Sequence, residues 1–315
     1  MKRLQQWLCV ALLICGTGMA KSQQLVFTPQ WAAQAQFVGF YVANSKGFYK
    51  EAGLDVAIKH PALSRPSSDY LQKGESQFIT LNLVTAMAMI DRGAQLVNVF
   101  QASQQSNLLI VSHTPLKGME SLSGKKVGHW RAGFSELPMA MDKKYKLGIQ
   151  WVPFLSHINL FISKAIDATL AMSYNEFFQL KLAGQRIKDD QVLHMRDIGY
   201  NVPEDGVYVT LDFYRKHKDE VQKFAEATRK GWEWAVANPE EALDIVMVTM
   251  RQSGIAGNMI SQEWMMKEIL KQLADKDTGK RTYKLEPASL KLANRILLES
   301  GLIKKEITYK QITQL

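Results

Sequence analysis

Short apolar runs alternate with helical stretches along most of this chain, and that alternation restricts the fold more than any other feature. Residues 24–28 read as a strand, 37–45 as a helix that stops at Gly47, and 54–59 as a strand alternating apolar and polar positions. Residues 77–81, 84–92 and 96–100 repeat the strand, helix, strand order, with Gly93 ending the helix. A second unit opens near 112–123, where Ser121 to Lys126 form a turn. Strands follow at 126–130, 150–154, 168–172 and 192–195, separated by helices near 135–147, 159–166 and 176–183. This order calls for α/β layers with largely parallel sheets. After Pro203-Glu204-Asp205-Gly206, a strand at 207–211 leads into a helix-rich remainder. There Asn238-Pro239-Glu240-Glu241 reads as a helix start, and Gly301 stops an amphipathic helix at 288–300. Trp232 and Trp234 lie two apart on a helix and cannot share a face, so at least one is expected in the core. The expected architecture is α/β with two lobes, 21–111 plus 200–315 and 112–199. A discontinuous lobe needs two crossings, and paired crossings make a hinge and a cleft. Small ligands bind in such clefts, at the carboxyl ends of strands.

The first twenty residues are expected to be a secretory signal peptide. Lys2 and Arg3 give a positive start, residues 7–16 an apolar stretch too short to span a bilayer, and Gly18-Met19-Ala20 a small-residue cleavage site. Ile14 before Cys15 is bulky for lipid attachment, so a soluble periplasmic product is expected. Both cysteines, Cys9 and Cys15, would leave with the peptide, which excludes a Cys nucleophile and a Cys-ligated metal. The net charge would fall from +9 to +7 as Lys2 and Arg3 leave. The basic residues are scattered rather than interleaved with aromatics, so no nucleic-acid partner is expected. The 315 residues suffice for two cores at about 150 residues per domain. No phosphate loop, dinucleotide fingerprint or nucleophile elbow appears, and the six histidines form no i, i+4 pair. No cofactor or metal is expected, and the balance favours binding over catalysis.

Four segments fall at predicted sheet edges facing the cleft. Trp31, Gln34 and Gln36 follow the first strand and offer an apolar face beside amide donors and acceptors, unless Trp31 is a core residue. Tyr174, Asn175 and Glu176 occupy the equivalent place in the second lobe. Tyr174 suits stacking, and Glu176 suits an amine or a cation, unless Asn175 and Glu176 only cap their helix. Gln104, within Ser103 to Ser106, lies at a cleft edge or in a solvated turn. His129-Trp130-Arg131 offers Trp130 as a second aromatic plate, the alternative being a half-buried surface tryptophan, and Gly133 allows close backbone approach.

Trp31, the run Phe37 to Ala43 and the run Lys46 to Val56 closely resemble the opening of solute-binding proteins for thiamine pyrimidine precursors. These stand with the sulfonate, nitrate and taurine binders of ABC importers. The runs Ser123 to Gly128 and Asp167 to Glu176 resemble the same family. The resemblance implies a type II periplasmic-binding fold, acting as a monomer, that closes on its ligand and delivers it to a membrane ABC permease. It implies that Trp31 and Tyr174 flank a planar ring and that Glu176 takes its amino group, with Asn82, Gln104 and Trp130 as further contacts. A related pyrimidine synthase uses a Lys and a His where approximate alignment places Leu81 and Thr85, and it carries a cysteine cluster that the mature chain would lack. Between the second strand and its helix, His60 to Ser68 replaces a Gly-Gly pair common in the binders. Arg65 in that loop leaves an anion-binding alternative open, and a ligand-sensing module for a membrane signalling protein is a second.

Overall fold

A computed structural model describes residues 24–314, except 63, 132, 155–157, 276 and 277. The expected signal peptide lies outside the described residues. Ten strands form two five-stranded sheets. The first contains β1 (Leu25–Thr28), β2 (Val56–Ile58), β3 (Phe78–Leu81), β4 (Leu96–Gln101) and β10 (Gly206–Thr210). Its order is β2-β1-β3-β10-β4. The second contains β5 (Leu108–Ser112), β6 (Lys126–Trp130), β7 (Gln150–Phe154), β8 (Ala168–Met172) and β9 (Val192–His194), in the order β7-β6-β8-β5-β9.

Both sheets are mixed in the same way. β1, β2 and β3 run parallel, and β10 runs against both β3 and β4. Likewise β6, β7 and β8 run parallel, and β5 runs against β8 and β9. In each sheet the opposed strand is the one the chain enters after crossing from the other lobe. The parallel strands are joined by helical crossovers on the same lobe, as parallel pairing requires. The strand β5 was absent from the sequence expectation, which opened the second unit at 112. Its five residues are all buried, so they show no alternation against the apolar background. The sheet therefore changes within 102–107, upstream of the expected boundary at 111. The return crossing lies within 195–205.

The first lobe is packed through aromatic rings. Phe78 and Phe224 stack at 3.9 Å, and Phe27 lies 4.4 Å from Phe40. Trp232 is 1% exposed, as the core member of the tryptophan pair. Trp234 is half-buried, with the Lys46 ammonium 4.2 Å above its ring. The helix Val38–Ser45 crosses the helix Lys218–Ala237 at unusually close range. A Cβ added to Gly39 would meet the Trp232 ring at 2.1 Å, and one added to Gly231 would meet the Gly39 carbonyl at 2.2 Å. Two glycines thus let the backbones touch while the indole covers one of them. Asn238 occupies the predicted helix start, but its amide donates backward to the Trp234 carbonyl at 3.0 Å rather than into the new helix. No helix of the described residues is long and apolar enough to cross a membrane.

Gly231→Ala is expected to destabilise the protein by about 1–3 kcal/mol, the usual cost of overpacking a rigid core. Urea unfolding of the two proteins measures it, and a midpoint within error of wild type would contradict the close helix crossing.

Candidate functional site

The loop after β1 carries Trp31 out from the first lobe. Three hydrogen bonds fix it. The His60 Nδ1–H donates to the Trp31 carbonyl at 2.7 Å, and the Tyr41 hydroxyl meets His60 Nε2 at 3.0 Å. The Gln34 N–H donates to that hydroxyl at 3.3 Å. Burial lowers the His60 pKa, opposed by the Trp31 carbonyl. A neutral imidazole with its proton on Nδ1 fits both partners, because Nε2 then accepts from Tyr41. Beyond Trp31, Gln34 donates to the Gln36 amide oxygen at 2.7 Å. Gln30 and Gln36 both donate to Asp205 Oδ1, at 2.7 and 2.8 Å.

The second lobe supplies the facing wall. Glu176 follows β8, at the start of the helix Glu176–Leu182. Its carboxylate accepts from Trp130 Nε1 at 3.2 Å, Asn175 Nδ2 at 3.0 Å and the Met172 N–H at 3.0 Å. It is 4% exposed. Burial raises its pKa, and these donors oppose the rise. Asn175 caps no backbone N–H of the helix; its amide holds Glu176 instead. Tyr174 is buried beside Asp205, Glu204 and Glu176. Desolvation first, then those three charges, hold its phenol protonated far above the ordinary range.

These residues converge. Trp31, Gln34 and Gln36 from one lobe share a crevice with Trp130, Tyr174, Asn175 and Glu176 from the other. Met172 and Phe134 complete its wall. The crevice holds about 20 Å³, room for about one water. Trp31 and Phe134 also border a second, larger cavity of about 310 Å³. Asn82 lines that larger cavity rather than the crevice, and its Oδ1 accepts from the Thr85 N–H at 2.7 Å as a helix cap.

Gln104 belongs to neither space. Its amide donates to the carbonyls of Gln101 and Lys284, both at 3.3 Å, and its N–H to Gln272. The cleft-edge expectation for Gln104 is therefore corrected: Ser103, Gln104 and Ser106 are buried in the outgoing crossing. Arg65 lines the larger cavity, but Glu75 holds it in a two-pronged ion pair at 2.8 and 2.9 Å, and its guanidinium lies 3.7 Å above Tyr70.

Sequence reasoning passed over four residues. His60 positions the Trp31 loop, and Phe134 walls both spaces from a left-handed backbone conformation, φ 63°. Glu204 and Asp205 join the crossings to each other and to the site. Glu204 accepts from the Ser106 hydroxyl, the Asn107 N–H and the Asn107 amide at 3.0 to 3.1 Å. No salt bridge reaches either carboxylate among the described residues. Burial raises Glu204 to about 7, with Asp205 adding to the rise, and burial raises Asp205 to about 6.

A pair of α/β lobes with two crossings and a shared crevice defines the class of periplasmic-binding-fold proteins. The aliphatic sulphonate-binding protein SsuA of Escherichia coli has this fold, with a TM-score of 0.62 over 92% of this chain and 91% of its own, at 16% identity. The chain belongs to the NMT1/THI5-like family, whose match spans residues 34–242. Its relatives include the riboflavin-binding protein RibY of Chloroflexus aurantiacus, 22% identical over 79% of this chain and 72% of that protein. The formylaminopyrimidine-binding protein of Halalkalibacterium halodurans is 25% identical over 77% and 76%. The 4-amino-5-hydroxymethyl-2-methylpyrimidine phosphate synthase THI11 of Saccharomyces cerevisiae is 20% identical over 70% and 69%.

A carboxyl whose pKa rises on folding keeps its proton in the folded protein where the unfolded chain has lost it. Its contribution is complete below the unfolded value of about 4 and is lost as pH climbs through the folded value. For Glu204 that loss runs from about pH 4 to about 7. His60 acts in the opposite sense, because a lowered pKa costs stability as pH falls. A comparison with Glu204→Gln cancels the histidine and isolates the carboxyl. Urea midpoints taken between pH 5 and pH 8 are expected to decline less steeply in the variant; parallel curves would contradict the buried, unpaired state of Glu204.

Proposed function

We propose that this protein is an extracytoplasmic solute-binding protein that captures a planar nitrogen heterocycle between its lobes and delivers it to an ABC importer. One observation carries the reading: Trp31 from the first lobe meets Trp130, Tyr174 and Glu176 from the second in one crevice. Aromatic plates on both sides suit a flat ring, and a buried carboxylate between them suits an exocyclic amine. The relatives named for formylaminopyrimidine and riboflavin bind flat heterocycles, which agrees.

The crevice is too small for a ring while the lobes touch, so ligand enters when they part. Several contacts hold them together. The Thr85 hydroxyl donates to Glu136 at 2.6 Å, and Phe178 stacks on Trp264 at 4.6 Å. Lys144 pairs with Glu299 at 2.9 Å in an exposed ion pair, which contributes little. A ring gripped by both lobes stabilises the closed state, and a permease that recognises that state receives the ligand.

Transport without chemistry is part of the proposal. Approximate alignment puts Leu81 and Thr85 where the resembling synthase has its Lys and His, and both line the larger cavity. Leu81 has no amine to form an imine, and the Thr85 hydroxyl does not titrate near neutral pH as an imidazole does. The anion-binding alternative draws on the basic charge balance and on Arg65; Glu75 pairs with that guanidinium, while Arg92 lines the same cavity.

Calorimetric titration with a 4-aminopyrimidine is expected to give saturable heat. Trp31→Ala should weaken binding roughly ten- to a hundredfold, since stacking a base on an aromatic ring is worth about 1–3 kcal/mol. Glu176→Gln should cost roughly tenfold for amino-bearing rings and less for rings lacking the amine. Equal losses for both ring types would remove the role given to Glu176. Absence of heat with the wild-type protein, together with displacement by taurine, would replace the heterocycle by a sulfonate.

A further inference from the structure

We infer that the helix Met259–Lys271 is a strap that sets the spacing of the two aromatic plates, with Trp264 as a positioning residue that governs binding without touching the ligand. The inference rests on the two-lobe binding reading and adds the element that biases closure. The helix belongs to the first lobe, and Met265, Met266 and Ile269 bury it in the core. Gln262 and Trp264 lie two apart on it and so point to different sides. Gln262 is 7% exposed and accepts from the Ala35 N–H at 2.7 Å. Ala35 sits between Gln34 and Gln36, which line the crevice.

Trp264 reaches the second lobe directly behind its ligand loop. Its ring stacks on Phe178 at 4.6 Å between centroids, with 5° between the planes, and its Nε1–H donates to the Ser173 carbonyl at 3.4 Å. Ser173 precedes Tyr174, and Phe178 stands two residues beyond Glu176 on the same helix. Lys181, one turn past Phe178, brings its ammonium to 5.9 Å from the Trp264 ring. Trp264 lines neither the crevice nor the larger cavity. The far end of the strap reaches the outgoing crossing. Gln272, the residue after the helix, exchanges side-chain amide hydrogen bonds with Asn107, and its carbonyl accepts from the Gln104 N–H at 2.8 Å. The Ser173 hydroxyl donates to the same Asn107 at 2.8 Å.

One helix thus ties together the loop of Trp31, the loop of Tyr174 and a crossing. Trp264 and Phe178 are both half-buried, so parting the lobes breaks the stack and gives two aromatic faces to water. The contact needs no ligand, so it biases the empty protein toward closure, and the binding-competent population scales the apparent affinity. A stacked aromatic pair shifts such an equilibrium by roughly two- to tenfold. Half-burial also means that truncating either ring leaves a surface notch rather than a core cavity, and both truncated variants are expected to fold.

Scattering and calorimetry together test the strap. Small-angle X-ray scattering from the ligand-free protein is expected to give a larger radius of gyration for Trp264→Ala and for Phe178→Ala than for wild type. Trp264→Phe keeps a ring on Phe178 and should fall between them. Titration with 4-aminopyrimidine should give a Kd roughly two- to tenfold weaker in both alanine variants. The double variant should lose no more than the worse single one, because both substitutions remove one shared contact. Phe178→Ala reads that contact from the second lobe, so the test stands even where Trp264→Ala fails to fold. Ligand-free scattering that superimposes for wild type and the alanine variants, an unchanged Kd, or losses that add in the double variant would overturn the strap. Absence of heat with the wild-type protein would count against the heterocycle alone, and the scattering comparison then decides the strap by itself.

Discussion

Asp205 holds the site and the crossings in one frame. Its carboxylate receives Gln30 and Gln36, the two amides that bracket Trp31, across 175 and 169 residues of sequence. Its carbonyl receives the Ala102 N–H from the outgoing crossing at 3.2 Å. Its own backbone is left-handed, φ 50°, at the point where the return crossing enters β10. The neighbouring Glu204 binds Ser106 and Asn107 in the outgoing crossing. The loop that presents the indole to the other lobe is thus anchored to the segments that join the two lobes. Two adjacent carboxyls, both buried and both raised, are a costly arrangement for stability. The cost is compatible with a hinge, because buried polar ties can be broken and remade by a change in protonation or geometry, whereas an apolar seam would only pack.

The mirrored entry of β5 and β10 gives this hinge its symmetry. Each crossing delivers the chain as the one opposed strand of its new sheet, seated between two strands that run the other way. Each crossing therefore leaves from an edge strand, β4 or β9, and enters the interior of the other sheet. The crevice between Trp31 and Tyr174 lies next to these crossings, with Gln30 and Gln36 tied to Asp205.

Much of this was legible in the chain. The strands before and after each lobe's ligand loop stand out because they are short, apolar and bounded by glycine or polar turns. The aromatic and amide residues following them could be assigned to the cleft from topology alone. β5 escaped because a strand buried on both faces has no period, and its neighbours Ser106 and Asn107 look like turn residues. Gln104 misled for the same reason: a polar run after a strand reads as a rim, whereas here its side chain stitches the crossing to Lys284. His60 and Phe134 carry no local signal of their roles. His60 acts on a carbonyl 29 residues away, and the importance of Phe134 arises only where two lobes approach. Arg65 shows the converse, a lone cation that sequence offers as an anion site and that the fold pairs with Glu75.

The central claim is that Trp31 and Tyr174 grip a planar guest from opposite lobes, with Glu176 accepting its amino group. A crystal structure of the protein saturated with an amino-bearing heterocycle tests it directly. The account predicts the ring in van der Waals contact with both aromatic side chains, with its amino nitrogen within hydrogen-bonding distance of the Glu176 carboxylate. A ring bound outside the crevice, or held by one lobe while Tyr174 stays out of contact, would contradict it.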